Sequence, residues 1–301
     1  MRESRNDKIF NALNIALITL LTIIIVYPLY FIIIASISDP YQVSLGKVIF
    51  LPKAMTLEAY RNVFEYEEIW IGYKNSVIYL LVGTSYNLLL TIPAAYVLSK
   101  RKLPLRNVLS WFFFITMYFG GGLVPTYILM RDLGLVNTPW ALMIGTGVSC
   151  YNLIVTRQFF STSIPDELYE AAKIDGANDY RTFVQIALPL SKPILAIMAL
   201  YYGIGHWNGY YNALIYIQRQ EYFPLQLVLR NIMTENEMLY STLEYANSLD
   251  GEALEAAARR AYIANAMKYA LIFISSAPML IAYPFVQKFF VKGVMIGSVK
   301  G

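Results

Sequence analysis

The stretch from Ser163 to Pro193 reads S-T-S-I-P-D-E-L-Y-E-A-A-K-I-D-G-A-N-D-Y-R-T-F-V-Q-I-A-L-P-L-S-K-P. It is a polar interval in a very apolar chain, and its pattern predicts two short helices separated at Gly176. Ser163 is a candidate cap for the first helix, with Pro165 in the first turn, where its missing N–H is harmless. Gly176 suits the left-handed residue that ends a helix, and a second helix then runs from about Asn178 to Ala187. Such a pair of helices can dock into a groove on another protein.

The composition is that of a membrane protein. Apolar residues make up 57% of the 301 residues and charged residues 15%, and the mean hydropathy is +0.47. These values lie outside the usual range of soluble globular domains. The net charge of +4 is small and gives no sign of a nucleic-acid partner. One cysteine, Cys150, and one histidine, His206, cannot form a disulfide framework or a metal cluster.

Six apolar runs are long enough to cross a bilayer, which requires about 20 residues in a helix. They are Ile9–Ile37, Tyr73–Leu98, Val108–Met130, Trp140–Phe160, Leu188–Ile217 and Ala264–Phe290. The sequence therefore predicts an all-α, polytopic integral membrane protein with six transmembrane helices. The run F-G-G-G-L-V-P-T at Phe119–Thr126 predicts a bend in the third span, or close helix packing there.

Three parts of unequal length are predicted along the chain. Residues 1–72 hold the first span and an extracellular segment, residues 73–290 form the transmembrane core with the polar loop 163–193, and residues 291–301 form a cytoplasmic tail. The long outward segment 218–262 contains an amphipathic helical pattern over 234–260, interrupted at Asp250-Gly251. Such a segment either contacts a protein that delivers cargo or is a solvated cap.

Basic residues predict the orientation in the membrane. They concentrate in the segments that lie inside if the N-terminus is cytoplasmic, most clearly in K-R-K-L-P-L-R at residues 100–106. Because cytoplasmic segments carry an excess of Lys and Arg, both termini and the Gly176 loop are expected inside.

The loop resembles the EAA loop of permease subunits of bacterial ABC importers. That pattern is E-A-A, three residues, G, nine residues and I-x-L-P, and this chain matches it at Glu170-Ala171-Ala172, Gly176, Ile186, Leu188 and Pro189. The resemblance implies a type I ABC importer permease fold in which the loop is the coupling helix that contacts an ATPase subunit. It assigns that contact to Glu170, Ala171, Ala172, Asp175, Gly176 and Ala177. The alternative is an ordinary helical hairpin between two membrane spans.

The resemblance also implies the partners and the place in the cell. A non-catalytic permease subunit would pair with a second homologous permease subunit, two ATPase subunits and an extracellular solute-binding protein or lipoprotein, in the lipid of the bacterial plasma membrane. The chain has no G-x-x-x-x-G-K-[ST] phosphate loop, so ATP and Mg²⁺ would be bound by the partner ATPase. No cofactor, metal or catalytic residue is expected in this chain.

The C-terminal sequence narrows the class. Residues 288–301, K-F-F-V-K-G-V-M-I-G-S-V-K-G, resemble the flexible tail of MalG-like carbohydrate-uptake permeases, which contacts the ATPase. This implies ATPase contacts at Gly297, Lys300 and Gly301, although a basic end held by acidic lipid is the alternative. The segment Tyr222–Arg230 resembles permeases for complex oligosaccharides. A peptide or amino-acid permease of the same class remains the alternative.

Polar residues within the spans suggest the cargo. The spans carry almost no charged residues, which favours a polar, neutral, ring-shaped cargo and counts against a secondary transporter or a membrane-embedded enzyme. Tyr201, Gly205, Asn208 and Asn212 recur at helical spacing in the fifth span, which predicts one polar stripe. Aromatic faces and amides suit a sugar. The predicted substrate path consists of Tyr201, Asn208, Asn212, Trp207, Asn87 and Asn152, the alternatives being helix packing or an interfacial aromatic belt.

Overall fold

The structure, a computed structural model, describes residues 4–244 and 251–298. Every regular element in these two ranges is helical. The α-helices are α1 Arg5–Ser36, α2 Pro40–Ser44, α3 Glu58–Phe64, α4 Glu67–Ser99, α5 Arg106–Tyr118, α6 Leu123–Asp132, α7 Trp140–Ile144, α8 Cys150–Ser163, α9 Asp166–Ile174, α10 Asp179–Thr182, α11 Leu188–Leu190, α12 Lys192–Trp207, α13 Tyr210–Tyr216, α14 Leu225–Glu244 and α15 Gly251–Ser298. A π-helical turn, Phe183–Ala187, joins α10 to α11, and a 3-10 turn, Gln220–Tyr222, precedes α14.

Within the two described ranges, three helices are long and apolar enough to cross a membrane unbroken. They are Asn6–Ser36, Glu67–Ser99 and Ala258–Pro284, which confirm the predicted first, second and sixth spans. Two bent helix pairs raise the number to five if each pair is one span. The all-α, membrane-spanning class predicted from the sequence is thus confirmed.

The third predicted span is bent at its glycine run. Helices α5 and α6 meet at an angle of 114°, and residues 119–122 between them are not helical. Gly122 adopts a positive φ of 82° there. The predicted bend at F-G-G-G-L-V-P-T is therefore confirmed.

The fourth predicted span is wrong as a single helix. The helix that begins at Trp140 ends at Ile144, and α8 begins only at Cys150. Ser149 caps α8, with its Oγ accepting a hydrogen bond from the Asn152 backbone N–H at 3.4 Å. Glycine, β-branched residues and serine all lower helix propensity in the intervening G-T-G-V-S, so the break is physically reasonable.

The fifth predicted span is likewise divided. The chain bends by 79° between Asp179–Leu190 and α12. Helix α12 then ends at Trp207, and an inverse γ-turn centred on Gly209 (φ −75°, ψ 59°) leads into α13, with the Tyr210 N–H bonded to the Asn208 carbonyl at 2.9 Å.

The C-terminal segment is not a bare tail as far as Ser298. Helix α15 continues through Gly293 and Gly297, so these two glycines lie within a helix. A glycine costs about 1 kcal/mol inside a helix, which an already propagating helix tolerates. The predicted contact residues Lys300 and Gly301 lie outside the described residues, as does Asp250 of the predicted interruption, and α15 begins at Gly251.

The chain forms two compact units. One comprises the residues up to Ile69 together with Leu229–Ala277, and the other comprises Trp70–Val228 with the residues from Pro278 onward. In the first unit, Ile34, Ala35, Val43 and Val48 form a small core. The predicted division at residues 72 and 290 remains an interpretation of the sequence.

The second unit contains the core that supports the polar loop. Its buried residues come from α4, α8 and the loop itself, namely Ile92, Ala95, Tyr96, Leu98, Leu153, Phe160, Ile164 and Ala187. Because loop residues share this core with α4 and α8, the loop is held by apolar packing and not only by its ends.

Candidate functional site

The polar loop presents a short helix, α9, whose start differs from the prediction. Ser163 ends α8 and does not cap α9; Pro165 occupies the cap position. Ile164 is extended (φ −112°, ψ 114°), as the residue before a proline usually is, so α8 ends before it. Asp166 and Glu167 lie in the first turn, where negative charge is favourable.

Helix α9 ends at the predicted glycine. Gly176 has a φ of +76°, and the Ala177 N–H donates to the Ala172 carbonyl across it at 2.9 Å. This closes the helix end in the left-handed conformation for which glycine has no steric penalty, and the prediction at Gly176 is confirmed.

One side of α9 is buried and the other faces outward. Ala172 is only 5% exposed, whereas Glu170, Ala171, Asp175 and Gly176 are all exposed and Ala177 is half-buried. Beside them lie two apolar side chains, Ile174 at 86% exposed and Tyr180 at 76%. The outward side of the loop therefore combines carboxylates with uncovered apolar surface.

An aromatic cluster ties α9 to the end of α4. The Lys100 Nζ lies 2.9 Å from the centre of the Tyr169 ring and 4.3 Å from that of Tyr96. Tyr96 also packs on Phe183, with ring centres 4.8 Å apart. Burial lowers the pKa of Lys100 to about 8, although nearby Asp166 and Asp179 act to raise it. Lys100 thus remains largely protonated at neutral pH, which keeps the cation–π contacts favourable.

The second unit also contains a cavity of about 390 Å³. This volume is within the range of small-molecule sites. Its wall is built from the middle of α4, α7 and the break before α8, the first turn of α8, and the region around the α12–α13 turn. The lining residues are Tyr79, Asn87, Leu142, Thr146, Val148, Ser149, Asn152, Tyr201, Tyr202, Gly205, His206, Gly209, Asn212 and Pro224.

Asn87 supports the unwound part of the cavity wall. Its Nδ2 donates to the carbonyls of Thr146 at 2.5 Å and Gly147 at 2.8 Å, and its Oδ1 lies 2.7 Å from His206 Nε2. Because two carbonyls fix the amide orientation, Oδ1 accepts and His206 Nε2 must donate. All hydrogen-bonding capacity of this buried amide is directed at the wall itself.

His206 fits against α4 because residue 83 is a glycine. A Cβ built on Gly83 would lie 2.4 Å from the imidazole Cε1, far inside contact distance. The ring therefore occupies the space that any other residue at this position would fill, and this brings Nε2 within reach of Asn87.

Tyr202 supports the other end of the break. Its hydroxyl accepts a hydrogen bond from the Ser149 N–H at 3.1 Å and lies 2.7 Å from Thr91 Oγ1. Non-helical backbone at membrane depth is tolerated where other groups satisfy it or where it lines a cavity, and both conditions hold here.

The structure brings four of the six predicted path residues to this cavity. Asn87, Asn152, Tyr201 and Asn212 line it, and Asn208 and Trp207 do not. Trp207 is 2% exposed and packs on Tyr73 with ring centres 6.2 Å apart. The prediction of one helical stripe is wrong, because α12 ends before Asn208 and the turn at Gly209 redirects the chain.

Sequence reasoning missed several lining residues, among them Tyr79, Thr146, Tyr202, His206 and Pro224. The helix-breaking composition of 145–149 was the one available signal for Thr146. Tyr202 and His206 lie on α12, between the bends at Ser191 and Gly209, which a count of helical spacing does not contain.

Comparison with known proteins identifies the family. The model described as binding-protein-dependent transport system inner membrane component matches residues 69–296. The chain belongs to this family and has the type I ABC importer permease fold, which confirms the resemblance noted at the EAA loop. It is thus an inner-membrane component of a transport system.

Individual relatives match over nearly the whole chain. Protein LplC of Bacillus subtilis (strain 168) is 36% identical over 301 residues, covering 100% of this chain and 98% of that protein. The polygalacturonan/rhamnogalacturonan transport system permease protein YtcP of the same organism is 34% identical over 295 residues, covering 98% and 99%. The crystal structure of a bacterial ABC transporter involved in import of the acidic polysaccharide alginate matches with a TM-score of 0.84 at 32% identity, covering 96% and 99%.

Proposed function

We propose that this chain forms part of the translocation path of an ATP-driven, binding-protein-dependent importer of oligosaccharides. The observation that carries the proposal is the 390 Å³ cavity in the same compact unit as the EAA loop. Tyrosines, amides and hydroxyls line it, and these groups stack on sugar rings and bond their hydroxyls.

The relatives' cargoes support the carbohydrate class. Permeases for polygalacturonan or rhamnogalacturonan and for arabinooligosaccharides are among the similar proteins. The cavity volume of about 390 Å³ lies within the range of small-molecule sites, and with these relatives it makes an oligosaccharide the cargo that we propose.

The exposed side of the loop supports the proposed coupling role. Ile174 and Tyr180 are uncovered on this side of the loop, and docking into a groove of an ATPase subunit would bury them. In this proposal a second permease subunit completes the path, two ATPase subunits bind ATP and Mg²⁺, and an extracellular binding protein delivers cargo. Rigid-body motion of the loop with the ATPase would switch the cavity between the two sides.

The proposed orientation can be tested with single cysteines in a Cys150→Ala background. Ser4, Ile174 and Glu237 are suitable positions, because all three are exposed. An impermeant thiol reagent applied to intact cells is expected to label Glu237→Cys alone, since basic residues place the other two positions inside. Permeabilised cells, in which all three should react, are the control. Labelling of Ile174→Cys in intact cells would refute both the orientation and the coupling role.

A pair of asparagines makes it possible to distinguish a contact with cargo from a general effect of removing a polar side chain. Asn212 lines the cavity, whereas Asn208, four residues earlier and also exposed, does not. Asn212→Leu is expected to lower oligosaccharide uptake several-fold, because one lost hydrogen bond is worth roughly 1 kcal/mol. Asn208→Leu, the matched control, should transport at nearly the unmutated rate.

The measurement is uptake of labelled oligosaccharide into proteoliposomes that contain the complete transporter, with ATP hydrolysis recorded in parallel. Equal uptake by the two variants would remove the cavity from the transport path.

A further inference from the structure

Helix α8 begins in the wall of the cavity. Its cap residue Ser149 and its third residue Asn152 both line the cavity, and the helix runs for 14 residues from Cys150 to Ser163. The first N–H groups of a helix have no acceptor within the helix, and the aligned peptide dipoles make this end positive. The cavity therefore contains a site that favours negative charge.

Asn152 is an independent sign of a missing ligand at the same place. It is only 7% exposed, and its side-chain amide forms no hydrogen bond with any residue that the structure describes. A buried amide without a partner is costly, so such groups are normally satisfied. The side chain of Asn87 is also buried, but it forms hydrogen bonds through both its Nδ2 and its Oδ1.

Several polar groups beside Asn152 in the cavity wall form hydrogen bonds with other groups. The Ser149 Oγ accepts from the Asn152 backbone N–H, and the Tyr202 hydroxyl lies between Ser149 and Thr91. His206 directs Nε2 at Asn87. The amide of Asn152 is thus available for a group that enters the cavity from outside the chain.

The cavity's electrostatics come from backbone and not from charged side chains. None of the described residues that line it is Asp, Glu, Lys or Arg. This absence led the sequence reasoning toward a neutral cargo. A helix terminus, however, attracts an anion without any charged side chain, so the structure removes the ground for that expectation.

We propose that the start of α8 and the Asn152 amide bind a carboxylate of the cargo, so that the transported oligosaccharide contains uronic-acid residues. This inference rests on the proposed function. The amide Nδ2 donates to one carboxylate oxygen, and the positive end of the helix stabilises the charge. A neutral sugar at the same place would gain only the amide hydrogen bond.

The test is Asn152→Asp, a nearly isosteric change. An acidic residue in the first turn is favourable to the helix, so folding should be retained. The new carboxylate would repel the carboxylate of the cargo. Binding is measured on the complete assembly of permease and ATPase subunits in nanodiscs, without the binding protein, so that delivery does not impose its own selectivity.

The probes are digalacturonate and its neutral dimethyl ester. The unmutated assembly is expected to bind the free acid roughly tenfold more tightly than the ester. Asn152→Asp should remove this preference and lower ester affinity only by about fivefold, through the loss of one amide hydrogen bond. Equal affinity for acid and ester before mutation, or a preference that survives Asn152→Asp, overturns the inference.

Binding of neutral oligosaccharides distinguishes a failure of the uronate inference from a failure of the proposed function. If the assembly binds maltotriose or arabinotriose but no uronate, the oligosaccharide proposal stands and the uronate inference fails. If it binds neither class, both fail.

Discussion

Replacing Gly176 by valine is expected to reduce ATP-driven uptake by at least about tenfold while membrane insertion is retained. The residue has a φ of +76°, which a β-branched side chain scarcely tolerates. No heavy atom lies within 4 Å of a Cβ built there, so the effect must come from the backbone and not from a clash. Valine would change the end of α9 and the direction of the exposed surface around Ile174.

Gly176→Asn is the matched control, because asparagine enters the left-handed region more readily than other residues with a side chain. It should retain most of the uptake. Two quantities are measured on purified assemblies. They are the rate of cargo-stimulated ATP hydrolysis and the amount of ATPase subunit that stays bound on washing. If coupling in the valine variant equals that of the unmutated protein, the geometry of this loop does not couple ATP hydrolysis to transport.

Glu170→Lys tests the same surface through charge. Glu170 is exposed and lies in the middle of α9, outside the first turn in which a carboxylate stabilises a helix. Its reversal should therefore leave α9 folded and weaken binding to a basic partner surface. Retained ATPase binding would contradict this role for Glu170.

The parts of the fold that the sequence predicted correctly depend on local signals. Long apolar runs give α1 and α4, the glycine run gives the bend before Leu123, and Gly176 ends α9. In each case the sequence signal that determines the local structure lies within the residues that adopt it. The EAA pattern was equally local, which is why the loop and the family could both be recognised.

The parts that failed depend on distant partners. The apolar run Trp140–Phe160 would be a continuous helix if only hydropathy mattered. The unwound residues 145–149 are tolerable because α4 provides Asn87 and α12 provides Tyr202, about 60 and 50 residues away in the chain. No periodicity within the segment reveals these hydrogen bonds, and the cavity that depends on them could not be predicted in full. Polar residues of α4, of α8 and of the fifth predicted span signalled part of it.

The second large effect is expected for Asn87→Leu, because Asn87 supports the unwound residues 145–149. The change leaves two carbonyls, of Thr146 and Gly147, without their donor and leaves His206 Nε2 without its acceptor. Hydrogen bonds between membrane helices average below 1 kcal/mol, but the unsatisfied buried groups add to the loss. We expect a destabilisation of roughly 2–4 kcal/mol, with a clear fall in Tm in detergent and loss of cargo binding.

Thr84→Val is the matched control on the same helix. Thr84 lies one turn before Asn87 and is also buried, but its hydroxyl has no hydrogen-bond partner among the described residues. Replacing an unsatisfied hydroxyl by a methyl group of the same shape should leave Tm unchanged or raise it slightly. Equal melting of the two variants would show that the Asn87 hydrogen bonds do not hold the break open. A selective fall for Asn87→Leu would instead identify this side chain as the support of the cavity wall.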